Sequence, residues 1–196
     1  MSLNLLSPSA DGSRLAPVET RHAPLFCFAL LTISCALASF ALACATPFAA
    51  FAVIAAAMLP LRPALLVVTG AWLVNQGIGF GALHYPIKTN TMLWGLAIGL
   101  AALAATAISA AVLRALSQSR SPIAFALVLA LTLACAYGAY ELVLFAATPF
   151  LGGAGSFTAA IIGRIGFLNV VWLIGLVAAC EIVRLVNPFK PGHAVS

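Results

Sequence analysis

Charge is what this chain of 196 residues has least of. Asp, Glu, Lys and Arg together make up 7% of it, four acids against nine bases. A water-soluble domain carries about a quarter of its residues as charges, so that class is excluded at the outset. The net charge of +5 does not point to nucleic acid, because the nine bases stand singly rather than in one patch. Nor is there a P-loop, an H-E-x-x-H zinc helix or a G-x-S-x-G elbow, so the chain is read as a non-enzyme with no cofactor of its own. The five cysteines, Cys27, Cys35, Cys44, Cys135 and Cys180, lie in apolar runs without C-x-x-C spacing, and most of them read as small buried hydrophobes.

Apolar sequence fills the space that charge leaves. The composition is 64% hydrophobic with a mean hydropathy of +1.15, and several runs reach the roughly 20 residues needed to cross about 30 Å of hydrocarbon. The expected fold is an all-α integral membrane protein with six transmembrane helices at about 24–45, 47–61, 63–83, 91–113, 123–148 and 160–186. The second run is the shortest and is open to a tilted or re-entrant reading. Breaks are expected at Pro47, Pro60, Pro63, Pro86, Pro122, Pro149 and Pro188. Residues 1–22 read as a flexible cytoplasmic tail without the pattern of a cleaved signal, 23–188 as the transmembrane domain and 189–196 as a second cytoplasmic tail.

The basic residues set the orientation. With six spans, Arg14, Arg21, Arg62, Arg114, Arg120, Arg184 and Lys190 fall on one side, and only Lys88 and Arg164 on the other. Positive residues favour the cytoplasm, so both termini are expected inside. A five-span arrangement without the second run would spoil this bias.

That orientation gathers the polar residues at the outer end. Asn75 and Gln76 lie in the outer half of the third span, and His84 to Asn90 form the following loop. Tyr137, Tyr140 and Glu141 fall in the outer half of the fifth span, while Arg164, Asn169 and Trp172 descend from the outer end of the sixth. Ionisable groups are costly inside a membrane, so Glu141 and Arg164 are candidates for a mutual ion pair. Each feature also has a purely structural reading: amides that bond neighbouring helices, an interfacial histidine, an aromatic belt. Small-residue spacings, Ser34-x-x-x-Ala38, Ala41-x-x-x-Ala45, Gly77-x-x-x-Gly81 and Gly95-x-x-x-Gly99, permit close helix approach within the chain or with a partner. His22, His84 and His193 fall on different sides and form no single metal cluster.

The segment Trp72-Leu-Val-Asn-Gln-Gly-Ile-Gly-Phe-Gly-Ala-Leu-His-Tyr-Pro86, followed by Trp94-Gly-Leu-Ala-Ile-Gly99, is similar to the solitary bacterial cobalamin-transport subgroup, the BtuM family. The six-span architecture resembles the membrane-embedded substrate-binding component of energy-coupling-factor vitamin transporters. The specific likeness covers roughly residues 70–106. The resemblance implies a multi-pass protein of the bacterial inner membrane that captures vitamin B12 or a related corrinoid from the outer side. It also implies a docking role for the small residues of the first span, on an ATPase-coupled transmembrane module. The family pattern places a cysteine thiolate on cobalt from the loop after the third span, yet this chain has no cysteine between Cys44 and Cys135. His84 is the nearest possible cobalt ligand, with Cys44 as the thiol alternative.

The expected substrate site therefore comprises Asn75, Gln76, His84, Tyr85, Tyr140, Glu141, Arg164 and Asn169, with cobalamin as ligand, the lipid bilayer as surroundings and no nucleic-acid partner. The competing expectation is a structural membrane subunit or assembly factor whose polar groups only join helices.

Overall fold

A computed structural model describes residues 15–42, 45–116 and 122–186. Every regular element in them is helical. Six α-helices follow in order: α1 (Ala23–Leu42), α2 (Phe48–Met58), α3 (Leu61–Gly77), α4 (Thr89–Ala115), α5 (Pro122–Leu151) and α6 (Ala159–Val186), with a π-helical turn at Ile78–Ala82 and a 3-10 turn at Ala154–Ser156. Five stretches are long and apolar enough to cross a membrane: α1, α3 with its π turn, α4, α5 and α6. Their outward faces carry large apolar side chains such as Leu37, Leu66, Leu100, Leu142 and Ile174. Such a surface is unstable in water and well solvated by acyl chains.

The second expected span departs from the others. It is helical only over its 11 residues Phe48–Met58, a rise of about 16 Å, about half the hydrocarbon thickness. It survives at that length because lipid never meets it: α2 touches all five other helices, and of its residues only Ala56 is not fully buried. Phe48, Phe51, Val53 and Ile54 are at most 1% exposed and form the centre of the core. Small residues dominate the remainder, so α3, α4, α5 and α6 approach closely around it.

Two contacts place the chain ends of the bundle together. The Leu15 N–H donates to the Ala57 carbonyl at 3.2 Å, and the Cys180 thiol meets the Met58 sulfur at 3.9 Å. Leu15 is only 3% exposed, so this residue of the expected tail is seated against the bundle, while residues 19–22 are exposed. Arg21, Arg62, Arg114 and Arg184 flank helix ends at this basal end, and Lys88 and Arg164 lie toward the other. The expected tails at residues 1–14 and 189–196 lie outside the described residues.

Proline interrupts the helices less than its chemistry suggests. Pro63 sits in the first turn of α3, where its missing N–H leaves no intrahelical acceptor unmet. Pro149 lies inside α5, and the Phe145 carbonyl that loses its N–H partner accepts the Thr148 hydroxyl at 2.8 Å instead.

Candidate functional site

Residues at the end opposite Leu15 split into two groups. Asn169 and Tyr140 belong to the core around the first turn of α2. That turn starts after Pro47, which offers no capping side chain. Asn169 of α6 supplies the acceptor from another helix: its Oδ1 takes the Ala50 N–H at 3.0 Å, while its Nδ2 donates to the Ile165 carbonyl at 3.0 Å. Tyr140 stacks on Phe48 with ring centroids 6.5 Å apart, and Trp172 meets Phe51 edge-on at 6.1 Å. Asn169 is 2% exposed; these groups fix α2 in place.

The second group surrounds a cavity of about 110 Å³ lined by Thr46 and Phe48 of the α2 entry, Asn75 and Gln76 of α3, Tyr85 of the loop, and Thr91 and Trp94 of α4. Hydrogen-bond accounting separates the two amides. Asn75 Nδ2 donates to Ser39 Oγ at 2.9 Å and to Thr46 Oγ1 at 3.0 Å, and its Oδ1 accepts from Gln76 Nε2 at 3.2 Å. Both donors are engaged, and Asn75 ties α1, α2 and α3 together. Among the described residues Gln76 bonds only to Asn75, so toward them it keeps hydrogen-bonding capacity at the cavity wall. Its side-chain oxygen packs against Gly95, where a Cβ would collide with it, and the Trp72 ring covers Gly99 in the same way at 2.7 Å. The Trp72 indole N–H donates to the Gly95 carbonyl at 2.9 Å. Gly95-x-x-x-Gly99 is thus an internal packing motif between α3 and α4.

Backbone irregularity shapes the cavity's rim. The π turn carries Gly79 and Gly81, and the Tyr85 ring lies against Gly79, 2.9 Å from where a Cβ would stand. The Tyr85 N–H donates to the Gly79 carbonyl at 3.0 Å, and Phe80 meets the ring edge-on at 6.4 Å. His84 precedes it with φ +53°, in the left-handed region that costs a non-glycine residue about 1 kcal/mol. π turns and strained residues of this kind concentrate at functional sites.

One expectation is corrected by this geometry. Glu141 and Arg164 form no ion pair: among the described residues the pairs are Arg21 and His22 with Glu19, and Arg184 with Glu181. Between α5 and α6 the Tyr137 hydroxyl instead donates to the Ile162 carbonyl at 2.7 Å, and Arg164 faces outward. The eight expected residues do not form one pocket. Asn75, Gln76 and Tyr85 line the cavity, and His84, Tyr140, Glu141, Arg164 and Asn169 are not among its lining residues. Among the small residues of the first expected span, Ser34 and Ala38 are buried against the bundle, whereas Ala41 is exposed and Ala45 half-buried. Cys44, the alternative cobalt ligand, lies outside the described residues.

The sequence reading missed Thr46, Phe48 and Thr91 as lining residues. Only their nearness to the Asn75 level in a six-helix arrangement would have suggested them, since a threonine or phenylalanine at a helix start carries no pattern of its own. No family model matches the chain, and neither the curated proteins nor the solved structures compared with it give a significant match.

Proposed function

We propose that this chain is a corrinoid-binding component of a bacterial inner-membrane transporter, crossing six times with both termini cytoplasmic and taking its ligand at the end where α3 meets α4. The observation that carries this reading is the cavity beneath Tyr85, uncharged and lined by an amide with spare hydrogen-bonding capacity, two threonines and aromatic rings. Apolar walls with a few placed polar groups are the usual make-up of a small-molecule site. The likeness of residues 70–106 to the cobalamin-transport subgroup supplies the substrate class.

On this reading Gln76 and Thr91 meet a peripheral carboxamide of the corrin ring, and Trp94 and Tyr85 cover its apolar edge. A volume of about 110 Å³ accommodates such a side group, whereas a drug-sized ligand fills roughly 300 Å³ or more. Binding of the whole macrocycle therefore requires the loop at 83–88 to swing off Gly79. His84, exposed on that loop, becomes the cobalt ligand. Asn75, Tyr140 and Asn169 hold the floor. Uptake against a gradient would need an ATPase-coupled transmembrane partner.

Titration of the detergent-purified protein with cyano-, hydroxo- and base-free corrinoids tests the proposal. Saturable thermal stabilisation with a shifted visible spectrum is expected; a well-folded sample indifferent to all three forms would refute it. One observation favours a structural subunit instead: the bonds of Asn75 and Asn169 all run between or within helices. The same indifference to corrinoids would support that alternative.

A further inference from the structure

At the basal end, far from the cavity, a groove of about 500 Å³ runs along the first turns of α1. Leu25, Phe26 and Ala29 form its apolar floor, and Glu19, Arg21 and His22 stand at its mouth. Arg21 Nε lies 2.9 Å from Glu19 Oε2, and His22 Nδ1 lies 3.9 Å from the same oxygen. Among the described residues that contact engages Nε and leaves the two terminal guanidinium nitrogens of Arg21 as further donors.

The level of the groove follows from helix length. The 20 residues of α1 rise about 30 Å, the thickness of the hydrocarbon layer. With α1 across the bilayer, its first turn lies at the hydrocarbon boundary and Glu19 to His22 lie among the head groups. An apolar channel at acyl depth thus leads to a carboxylate and a guanidinium at head-group depth. Leu25, 68% exposed, leaves the channel open toward the surrounding lipid.

A purely anionic head group would find Arg21 partly neutralised by Glu19. A head group carrying both signs finds a partner for each. We propose that this groove binds one zwitterionic phospholipid with a primary ammonium, its phosphate on Arg21, its ammonium on Glu19 and an acyl chain over Leu25, Phe26 and Ala29. Charge-assisted hydrogen bonds at both ends would select this lipid over one with a quaternary ammonium, which has no N–H to donate.

Native mass spectrometry and thermal shift of the full chain in detergent, with dioleoyl phosphatidylethanolamine, phosphatidylcholine or phosphatidylglycerol added, test it. Phosphatidylethanolamine should be retained best. Arg21→Ala should weaken its retention by roughly tenfold, the loss of one charge-assisted contact. Glu19→Gln should abolish the preference over phosphatidylcholine, and Ala29→Trp should block the channel without altering any charge. All three positions are exposed, so the variants should fold as the parent does, checked by circular dichroism. Equal retention of the three lipids, a preference for phosphatidylglycerol, or retention unchanged by Arg21→Ala and Ala29→Trp would overturn the proposal.

Discussion

The short helix α2 and the segment 78–88 both break the pattern of regular membrane-crossing helices, in opposite ways. The helix is enclosed on every side, its first turn capped by Asn169 and its rings packed on Tyr140 and Trp172. The segment pairs a π turn with a residue at φ +53° and places a single ring over Gly79. Enclosure marks the part that must stay fixed. Irregular backbone beside a cavity, with Gln76 at its wall, marks the part to which the proposed function assigns the ligand.

Substitutions in α2 and in the segment should therefore separate stability from binding. The largest effect is expected from Phe51→Ala, which opens a hole where nothing is exposed; a loss of about 3–5 kcal/mol in detergent unfolding follows. A melting temperature within a degree or two of the parent would show that α2 is not the centre of the core. Gly95→Val comes next, because its side chain must displace Gln76; overpacking of this kind costs about 1–3 kcal/mol and should also disturb the cavity. Asn169→Ala removes the cap on α2 and should cost about 1–2 kcal/mol in the same unfolding measurement. The smallest change in stability, under about 1 kcal/mol, is expected from His84→Gly, which relieves the left-handed backbone while removing the imidazole. If His84 ligates cobalt, that variant keeps its fold and loses the corrin spectral shift, an outcome that sharpens the contrast between the two regions.

The helices were legible because hydropathy over 20 residues reports burial from water directly. The expected span at 123–148 became Pro122–Leu151, and 160–186 became Ala159–Val186. The second run read as a weak span because of its length alone; what hydropathy cannot report is whether an apolar face meets lipid or protein, so the enclosure of α2 was not legible. Alanine-rich sequence suits a helix packed on all sides as well as one among acyl chains.

The site was half legible. Asn75, Gln76 and Tyr85 do share a cavity, since rare polar groups at one depth tend to find each other. Which amide is committed to structure depends on partners up to 36 residues away, and no spacing encodes that. Arg164 and Glu141 drew attention as the charges in the outer half. Helix rotation, which turns Arg164 outward and lets Tyr137 reach α6, defeated the expected pair.

Side-by-side titration of the parent and Gln76→Leu with hydroxocobalamin tests the central claim most directly. Gln76→Leu preserves bulk, leaves the Asn75 bonds to Ser39 and Thr46 in place, and should change stability by no more than about 1 kcal/mol. The proposed function predicts saturable binding to the parent and affinity lowered by roughly tenfold or more in the variant. Equal affinity in both would contradict the assignment of the ligand to this cavity, and absence of binding to the folded parent would contradict the function itself.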